Sequence, residues 1–168
     1  PGAYLHLSPN IAGYVGADHV AMILAAELHS ATGNVLALDI GTNTEICLAH
    51  QGRLQSVSCA SGPAFEGAHI RDGMRAAPGA IEWVRLVGGR VEYQTIDEAP
   101  PVGICGSGVL DGVAVLRQAG VLRANGAMKL EDHPRVRRTE SGSEFLLVPA
   151  GERGAPRDLV ITRKDVNE

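Results

Sequence analysis

The residues best suited to chemistry lie in one short segment, where a single acid follows an apolar run. Asp39 comes after Val-Leu-Ala-Leu at 35–38, and Gly41, Thr42, Asn43 and Thr44 come after it. A carboxylate at the end of a strand can hold a hydrated divalent cation, and the amides and threonine hydroxyls of the turn would point outward as donors to a phosphate. The segment therefore predicts a metal and phosphate site, although an ordinary hairpin with a capping aspartate would use the same residues.

Two further segments place small residues before a predicted helix. Gly106, Ser107 and Gly108 precede an apolar helical pattern, and the loop 61–67 leads into a short helix predicted over 66–76. Because free amides at the first turn of a helix can bind anions, each segment is either a second anion site or a plain connection. No Gly-Lys-Ser or Gly-Lys-Thr occurs, which excludes a P-loop.

The elements around Asp39 are predicted to form a meander of three strands. Residues 35–40 predict a buried central strand, the apolar pattern resumes at 46–48, and the turn at 51–52 with alternation over 53–59 predicts a third strand. Before them, apolar residues at helical spacing over 17–28 predict an amphipathic helix.

The rest of the chain predicts a second group of elements. Gly88 and Gly89 join strands 80–87 and 90–96 into a hairpin whose charged residues predict an excursion from the core. The other predicted elements are a strand over 102–105, a helix closed by Gly120, either a long polar loop or a loop with short strands over 125–144, strands over 145–148 and 159–162, and the first turn of a helix at the end.

Composition narrows the function classes. The 168 residues are 45% hydrophobic and 20% charged, which is a globular composition, and no apolar run approaches the ~20 residues of a membrane helix. The net charge of −4 argues against nucleic acid, and the one basic cluster, at 135–138, is predicted to be a solvated loop. We therefore expect a soluble cytoplasmic protein that binds neither membranes nor nucleic acids.

Cysteine and histidine residues show no metal-site spacing. Cys47, Cys59 and Cys105 fit reduced thiols, and they are fewer than the ~4 thiolates that an iron–sulfur cluster takes. His19 and His29 are predicted to lie at the surface or at helix ends.

Four motifs in order resemble those of the reductive activators of corrinoid proteins, and the first also resembles a phosphate motif of the actin, Hsp70 and sugar-kinase (ASKHA) superfamily. They are Asp-Ile-Gly-Thr-Asn-Thr-Glu at 39–45, Ala-Ser-Gly-Pro-Ala-Phe-Glu-Gly at 60–67, Gly-Met-Arg-Ala at 73–76 and Gly-Ile-Cys-Gly-Ser-Gly at 103–108. The resemblance implies an α/β fold, a ribonuclease-H-like actin/Hsp70-type subdomain whose mixed sheet begins in an antiparallel three-strand meander. Residues 1–33 would be a connecting loop and helix, and residues 34–168 a partial second actin-like subdomain, truncated at the C-terminal end.

The same resemblance implies an ATP-dependent redox function. Such activators return inactive Co(II) corrinoid proteins to Co(I), so the partner would be a corrinoid protein or corrinoid methyltransferase. The cofactors would be ATP and Mg²⁺, with a [2Fe-2S] cluster in the parent protein only. Asp39 would be the catalytic, magnesium-side acid. The cofactor-binding residues would be Gly41, Thr42, Asn43, Thr44, Gly62, Gly106, Ser107 and Gly108.

Cys105 has two interpretations. In a related family, the activators of hydroxyacyl-CoA dehydratases, a cysteine in a Cys-Ala-Ala-Gly-Thr-Gly segment of each of two subunits holds a shared [4Fe-4S] cluster. The segment at 105–108 is similar but shorter. Cys105 is therefore either a ligand in a homodimer or a buried structural thiol.

Two other functions stay open. A small-metabolite kinase of the same superfamily would also need Asp39, whereas a non-hydrolysing docking module for a corrinoid protein would not. The resembling family's first phosphate hairpin and its adenosine-contacting segment do not occur in the chain. We therefore expect this chain to bind nucleotide weakly or not at all by itself.

Overall fold

Runs of strands separated by helices make up residues 2–129 and 133–168, the part of the chain that the computed structural model describes. Pro1 and residues 130–132, the latter within the loop predicted over 125–144, lie outside the described residues. The chain divides into two compact units, Pro1–Gly62 and Pro63–Glu168. Among the described helices, none is both long enough and apolar enough to cross a membrane.

The first unit is a helix packed on a three-stranded antiparallel sheet. Its elements are α1 (Ala17–Ala25), a 3-10 turn (Leu28–Ser30), β1 (Val35–Ile40), β2 (Asn43–His50) and β3 (Arg53–Ala60). β2 lies in the centre, and Glu45 is the register partner of both Asp39 in β1 and Ser58 in β3. The predicted meander is confirmed.

The two faces of this sheet are covered differently. On one face, Cys47 and Ala49 of β2 pack with Ile23 of α1 and with Leu28 in a small core. The side chains of the opposite face alternate with these along each strand. We call this opposite face the exposed apolar face. It comprises Leu36, Leu38, Ile40 and Val57, which are between 45% and 59% exposed.

The prediction that residues 35–40 form a buried central strand is therefore wrong. β1 is an edge strand, because β2 occupies the centre and no other strand of residues 2–129 and 133–168 pairs with β1. The apolar run correctly predicted a strand, but its position in the sheet depends on the other strands.

Helix α1 is shorter than predicted, and one histidine lies inside the unit. Glu27 has a left-handed φ of 51°, which separates α1 from the 3-10 turn. His19 is fully buried, and its Nε2 shares a hydrogen bond of 2.9 Å with Oγ of Ser56. The predicted surface position of His19 is wrong, whereas His29 is exposed.

The second unit contains two three-stranded sheets and two α-helices. Its elements are β4 (Ala80–Val87), β5 (Arg90–Thr95), β6 (Gly103–Ile104), α2 (Gly106–Gln118), β7 (Val136–Thr139), β8 (Gly142–Val148), β9 (Leu159–Thr162), α3 (Arg163–Asn167), and 3-10 turns at Pro63–Glu66, Ile96–Glu98 and Glu152–Gly154. β4 pairs antiparallel with β5 and parallel with β6, which makes this sheet mixed, and β8 lies between β7 and β9. The mixed α/β class is confirmed.

The β4–β5 hairpin is part of the core and not an excursion from it. Ile81, Val84 and Tyr93 belong to the main buried cluster, together with Leu116 of α2 and Phe145 of β8. The register shifts between Ile81 and Trp83, which lets Ile81 and Val84 both face inward although they are three positions apart. The charged side chains that predicted a solvated hairpin occupy its outer face.

The helix predicted over 66–76 is not formed. Gly67 and His69 have left-handed φ values of 84° and 65°, which interrupt a helix. An added Cβ at Gly67 would overlap the backbone of Met74, whose amide donates to the Ile104 carbonyl at 2.9 Å. This segment is a tight loop held against β6.

Candidate functional site

Asp39 lies one residue before the end of β1 and is exposed. Its carboxylate has no hydrogen bond or ion pair with the residues that the structure describes, so it is available to a ligand. Glu45, directly across on β2, accepts a hydrogen bond of 2.8 Å from Oγ of Ser58. The sheet therefore places two carboxylates side by side and fixes the orientation of one of them.

The turn after Asp39 is supported by the end of β3. Thr42 is exposed, and its carbonyl accepts hydrogen bonds of 3.0 Å from the amides of both Ser61 and Gly62. Gly62 has a φ of 83°, a conformation that strongly favours glycine. The structure thus brings the predicted Gly62 directly against the predicted phosphate turn.

Two of the predicted outward donors are used inside the turn. Thr44 is buried, and its Oγ1 accepts a hydrogen bond of 2.6 Å from Oγ of Ser61. The amide of Gly41 donates to the Asn43 carbonyl at 3.1 Å. The expectation that both groups point outward is wrong, because the Thr44 hydroxyl is buried against Ser61 and the hairpin closes on Gly41.

The donor set at Asp39 suits magnesium better than a transition metal. No group of three or more His, Cys, Asp or Glu residues in the described segments could hold a metal ion. Mg²⁺ keeps several of its waters and is commonly bound by one or two carboxylates together with substrate phosphates. An exposed aspartate beside an exposed threonine fits that mode, in which Asp39 would act on the hydrated ion.

The predicted glycines of the second unit have a clear packing function. An added Cβ at Gly106 would overlap the Phe65 carbonyl, and one at Gly108 would overlap the Ile81 carbonyl. Ser107 donates from Oγ to the Glu82 carbonyl at 2.7 Å. These contacts bring the start of α2 against β4, and binding of a cofactor by the same three residues stays a prediction.

Cys105 fits the structural interpretation. It is buried, and its Sγ lies 3.2 Å from the Ile81 carbonyl, to which its amide also donates at 3.1 Å. All three cysteines are free thiols, and only Cys59 is exposed.

A cleft at the amino end of α2 contains a cation that the sequence argument did not assign. Its volume is about 450 Å³, and Arg75, Ser107 and Glu66 are among its lining residues. Arg75 is exposed and lies within the motif at 73–76, so a search of the quoted motifs for cations could have identified it.

Three buried acids were also missed. Asp72 pairs with Arg157 and accepts from the Val160 amide at 2.8 Å, and Asp165 accepts from the Arg71 amide at 2.9 Å. Glu144 accepts from Arg71 at 2.6 Å and from Arg137 at 2.7 Å. Most of these partners are more than 70 positions apart in the chain, so no local pattern predicts them.

Arg137 links this network to an exposed acid. It lies on β7, so the predicted solvated loop at 135–138 is wrong, and it donates to Asp158 at 2.8 Å. Hydrogen bonds to Asp158 and Glu144 raise the pKa of Arg137. The Ala150 amide and Arg137 lower the pKa of the Asp158 carboxyl.

Comparison with known families identifies most of the chain. The model of a family described as the C-terminal domain of RACo, the ASKHA domain, matches residues 33–168. This agrees with the family that the four sequence motifs resemble.

Two curated relatives match almost the whole chain. The corrinoid activation enzyme RamQ of Eubacterium limosum is 35% identical over 174 residues, which cover 99% of this chain and 29% of the relative. The Co(II) methylated amine-specific corrinoid protein reductase of Methanosarcina barkeri is 30% identical over 182 residues, which cover 95% of this chain and 30% of the relative.

A solved structure shares the fold. The structure described as the reductive activator for corrinoid, iron-sulfur protein superposes with a TM-score of 0.81 at 42% identity, over 95% of this chain and 26% of that chain. This match confirms the predicted fold class. The chain spans less than a third of the length of each of these proteins.

Proposed function

The chain belongs to the family of the C-terminal ASKHA domain of RACo, and on that premise we propose that it forms part of an ATP-dependent reductive activator of corrinoid proteins. In this proposal the parent protein returns Co(II) corrinoid to Co(I) with an electron from a [2Fe-2S] domain outside this chain. The partner is a corrinoid protein or corrinoid methyltransferase, and the compartment is the cytoplasm. The names of the two curated relatives and of the solved structure all support this function.

The available carboxylate of Asp39 beside the supported turn is the observation that carries the nucleotide part of the proposal. Asp39 would hold the hydrated Mg²⁺ ion, and Thr42 and Asn43 would contribute to phosphate binding. When bound, Mg²⁺–ATP would supply free energy for shifting the domain arrangement toward electron transfer. Gly41 and Thr44 act by holding the shape of the turn, since the Gly41 amide and Thr44 hydroxyl bond within it.

ATP-dependent cobalt reduction by the full-length protein tests this function. The Asp39→Asn variant keeps the size of the side chain and removes its charge, and we expect it to slow ATP-dependent formation of Co(I) at least ~100-fold. Glu92→Gln, at an exposed position on β5, is the matched control and should leave the rate within about twofold. The reaction is followed by the absorbance of Co(I) corrinoid.

Three outcomes would contradict the proposal. If Asp39→Asn keeps the full ATP-dependent rate, Asp39 is not the magnesium-side acid. If the wild-type protein transfers phosphate to a metabolite but reduces no cobalt, it is a kinase of the same superfamily, and if it binds the corrinoid protein without binding ATP it is a docking module.

A further inference from the structure

A second pocket lies within the second unit, and none of the residues assigned to ATP and Mg²⁺ lines it. It is formed by the loop after Gly67, the hairpin between β7 and β8, and the start of α3. Its volume is about 260 Å³, below the range of roughly 300–1,000 Å³ that holds drug-sized ligands. The pocket therefore suits a small molecule or a single functional group.

Cations dominate the pocket lining. Arg71, Arg163 and Lys164 line it, and among the described lining residues Asp165 is the only carboxylate. Both oxygens of Asp165 already accept hydrogen bonds, one from the Arg71 amide at 2.9 Å and one from the Thr162 amide at 2.8 Å. Its charge is therefore partly satisfied by the backbone.

The three cations differ in their availability. Arg71 donates to the buried Glu144, which it shares with Arg137, so two guanidinium groups face one carboxylate. Arg163 and Lys164 are exposed and have no ion-pair partner in residues 2–129 and 133–168. The pocket thus keeps an excess of positive charge in a chain whose net charge is −4.

Hydroxyl groups complete the lining. Thr139, Ser141 and Ser143 contribute from the β7–β8 hairpin. The Thr139 and Ser141 hydroxyls lie 3.2 Å apart. The Ser143 hydroxyl has no hydrogen-bond partner in the part of the chain that the structure describes. Several hydroxyl donors beside unpaired cations are the groups that bind the oxygens of a tetrahedral oxyanion.

We propose that this pocket binds a phosphoryl group, either as inorganic phosphate or as part of a small phosphorylated molecule. A phosphoryl group carries up to two negative charges and three strong acceptor oxygens, which match two unpaired cations and the hydroxyls of the hairpin. The volume is too small for a whole nucleotide. Arg163 and Lys164 supply the charge, and Ser143 supplies a neutral donor.

Calorimetric titration with inorganic phosphate at constant ionic strength tests the site. We expect the double variant Arg163→Gln/Lys164→Gln to weaken phosphate binding at least about tenfold, because each cation gives a charge-assisted hydrogen bond. The control Arg53→Gln/Arg90→Gln removes two exposed arginines elsewhere and should change the affinity less than about twofold. Ser143→Ala should weaken binding by roughly threefold to tenfold.

Amide chemical shifts locate the binding, and a second probe identifies the ligand. Phosphate should move the amide signals of 139–143 and 162–165. Tighter binding of glycerol 3-phosphate than of phosphate would indicate a phosphorylated metabolite, and equal binding would indicate the free oxyanion. The proposal is overturned if the two double variants weaken binding equally, or if phosphate causes no heat and no shift changes at about 50 mM. A failure of Asp39→Asn to affect cobalt reduction would not bear on this site.

Discussion

The first and second units bury their apolar residues to very different extents. Among the described residues, the buried cluster of the second unit has seventeen members, whereas that of the first unit has four. The second unit also buries three acids that are bonded to half-exposed arginines or to backbone amides, while the first leaves Asp39 exposed and unpaired. The second unit therefore has the larger core, and the sheet of the first unit, which carries Asp39, has a small core on one face.

This difference explains why β1 was predicted to be buried. Apolar residues on both faces of a strand are typical of strands that are covered on both sides. In the first unit α1 covers one face, and the described residues supply no cover for Leu36 and Leu38, which are 59% and 50% exposed. A large exposed apolar face is typical of an interaction surface.

A leucine-to-alanine substitution should lower the free energy of unfolding far more in the second unit than in the first, and this is the largest difference that we expect. Leu147→Ala in β8 removes a side chain that is 1% exposed and should lower the free energy of unfolding by about 2–5 kcal/mol, because it leaves a cavity. Leu38→Ala in β1 should cost less than about 1 kcal/mol, since that side chain is already half exposed. Denaturant unfolding followed by Trp83 fluorescence for the second unit and by circular dichroism for both measures the two effects. Equal losses would show that the exposed apolar face is covered in solution.

Removing a buried acid should lower the free energy of unfolding by a smaller but measurable amount. Asp72→Ala leaves the Val160 amide without its acceptor and should destabilise the second unit by about 2–3 kcal/mol. Asp72→Asn keeps an acceptor for that amide and loses the charge partner of the half-exposed Arg157, so we expect only about 1 kcal/mol. Chemical denaturation of both variants checks this order. Equal losses from Asn and Ala would show that the ion pair, rather than the backbone hydrogen bond, stabilises the fold.

Substitution of Arg137, which bonds to Asp158, should have the smallest effect of the three, and that effect is measured as a change in the pKa of Asp158. The folded-state pKa of Asp158 is lowered, so its contribution to stability is present above its unfolded pKa of ~3.9 and is lost as the pH falls through the lower folded value. Arg137→Gln removes one of the two lowering hydrogen bonds and should move this pKa upward. Carboxyl-carbon NMR titration between about pH 6 and pH 2 measures it, and an unchanged pKa would assign the whole effect to the Ala150 amide.

Local patterns predicted much of the strand and helix content. The turn residues Gln51 and Gly52 both have positive φ, as do Gly88 and Gly89, and each pair joins the two strands that the sequence predicted. Backbone conformations that favour glycine are encoded by one or two residues, so they can be recognised without knowledge of the fold.

Features that depend on distant partners could not be predicted. The burial of Thr44 depends on its contact with Ser61, seventeen positions away, and the burial of His19 depends on its hydrogen bond with Ser56 of β3. A short helix was predicted over 66–76, but the contact of Gly67 with Met74 and the hydrogen bond from Met74 to Ile104 produce a loop. At the candidate site the sequence identified Asp39 and its turn, but it could not show which donors remain free.

The hydrogen bonds of Arg71 and Asp72 can form only late in the synthesis of the chain. The first unit is complete once residue 62 has left the ribosome, but Asp72 finds its partners only after Arg157 and Val160, and the Arg71 amide only after Asp165. At about 5–20 residues per second, the roughly 100 residues between these points take roughly 5–20 seconds to translate. During that interval the turn after Asp39 and the exposed apolar face have been synthesised, but the second unit cannot yet complete these hydrogen bonds, which gives chaperone binding or misassembly its opportunity.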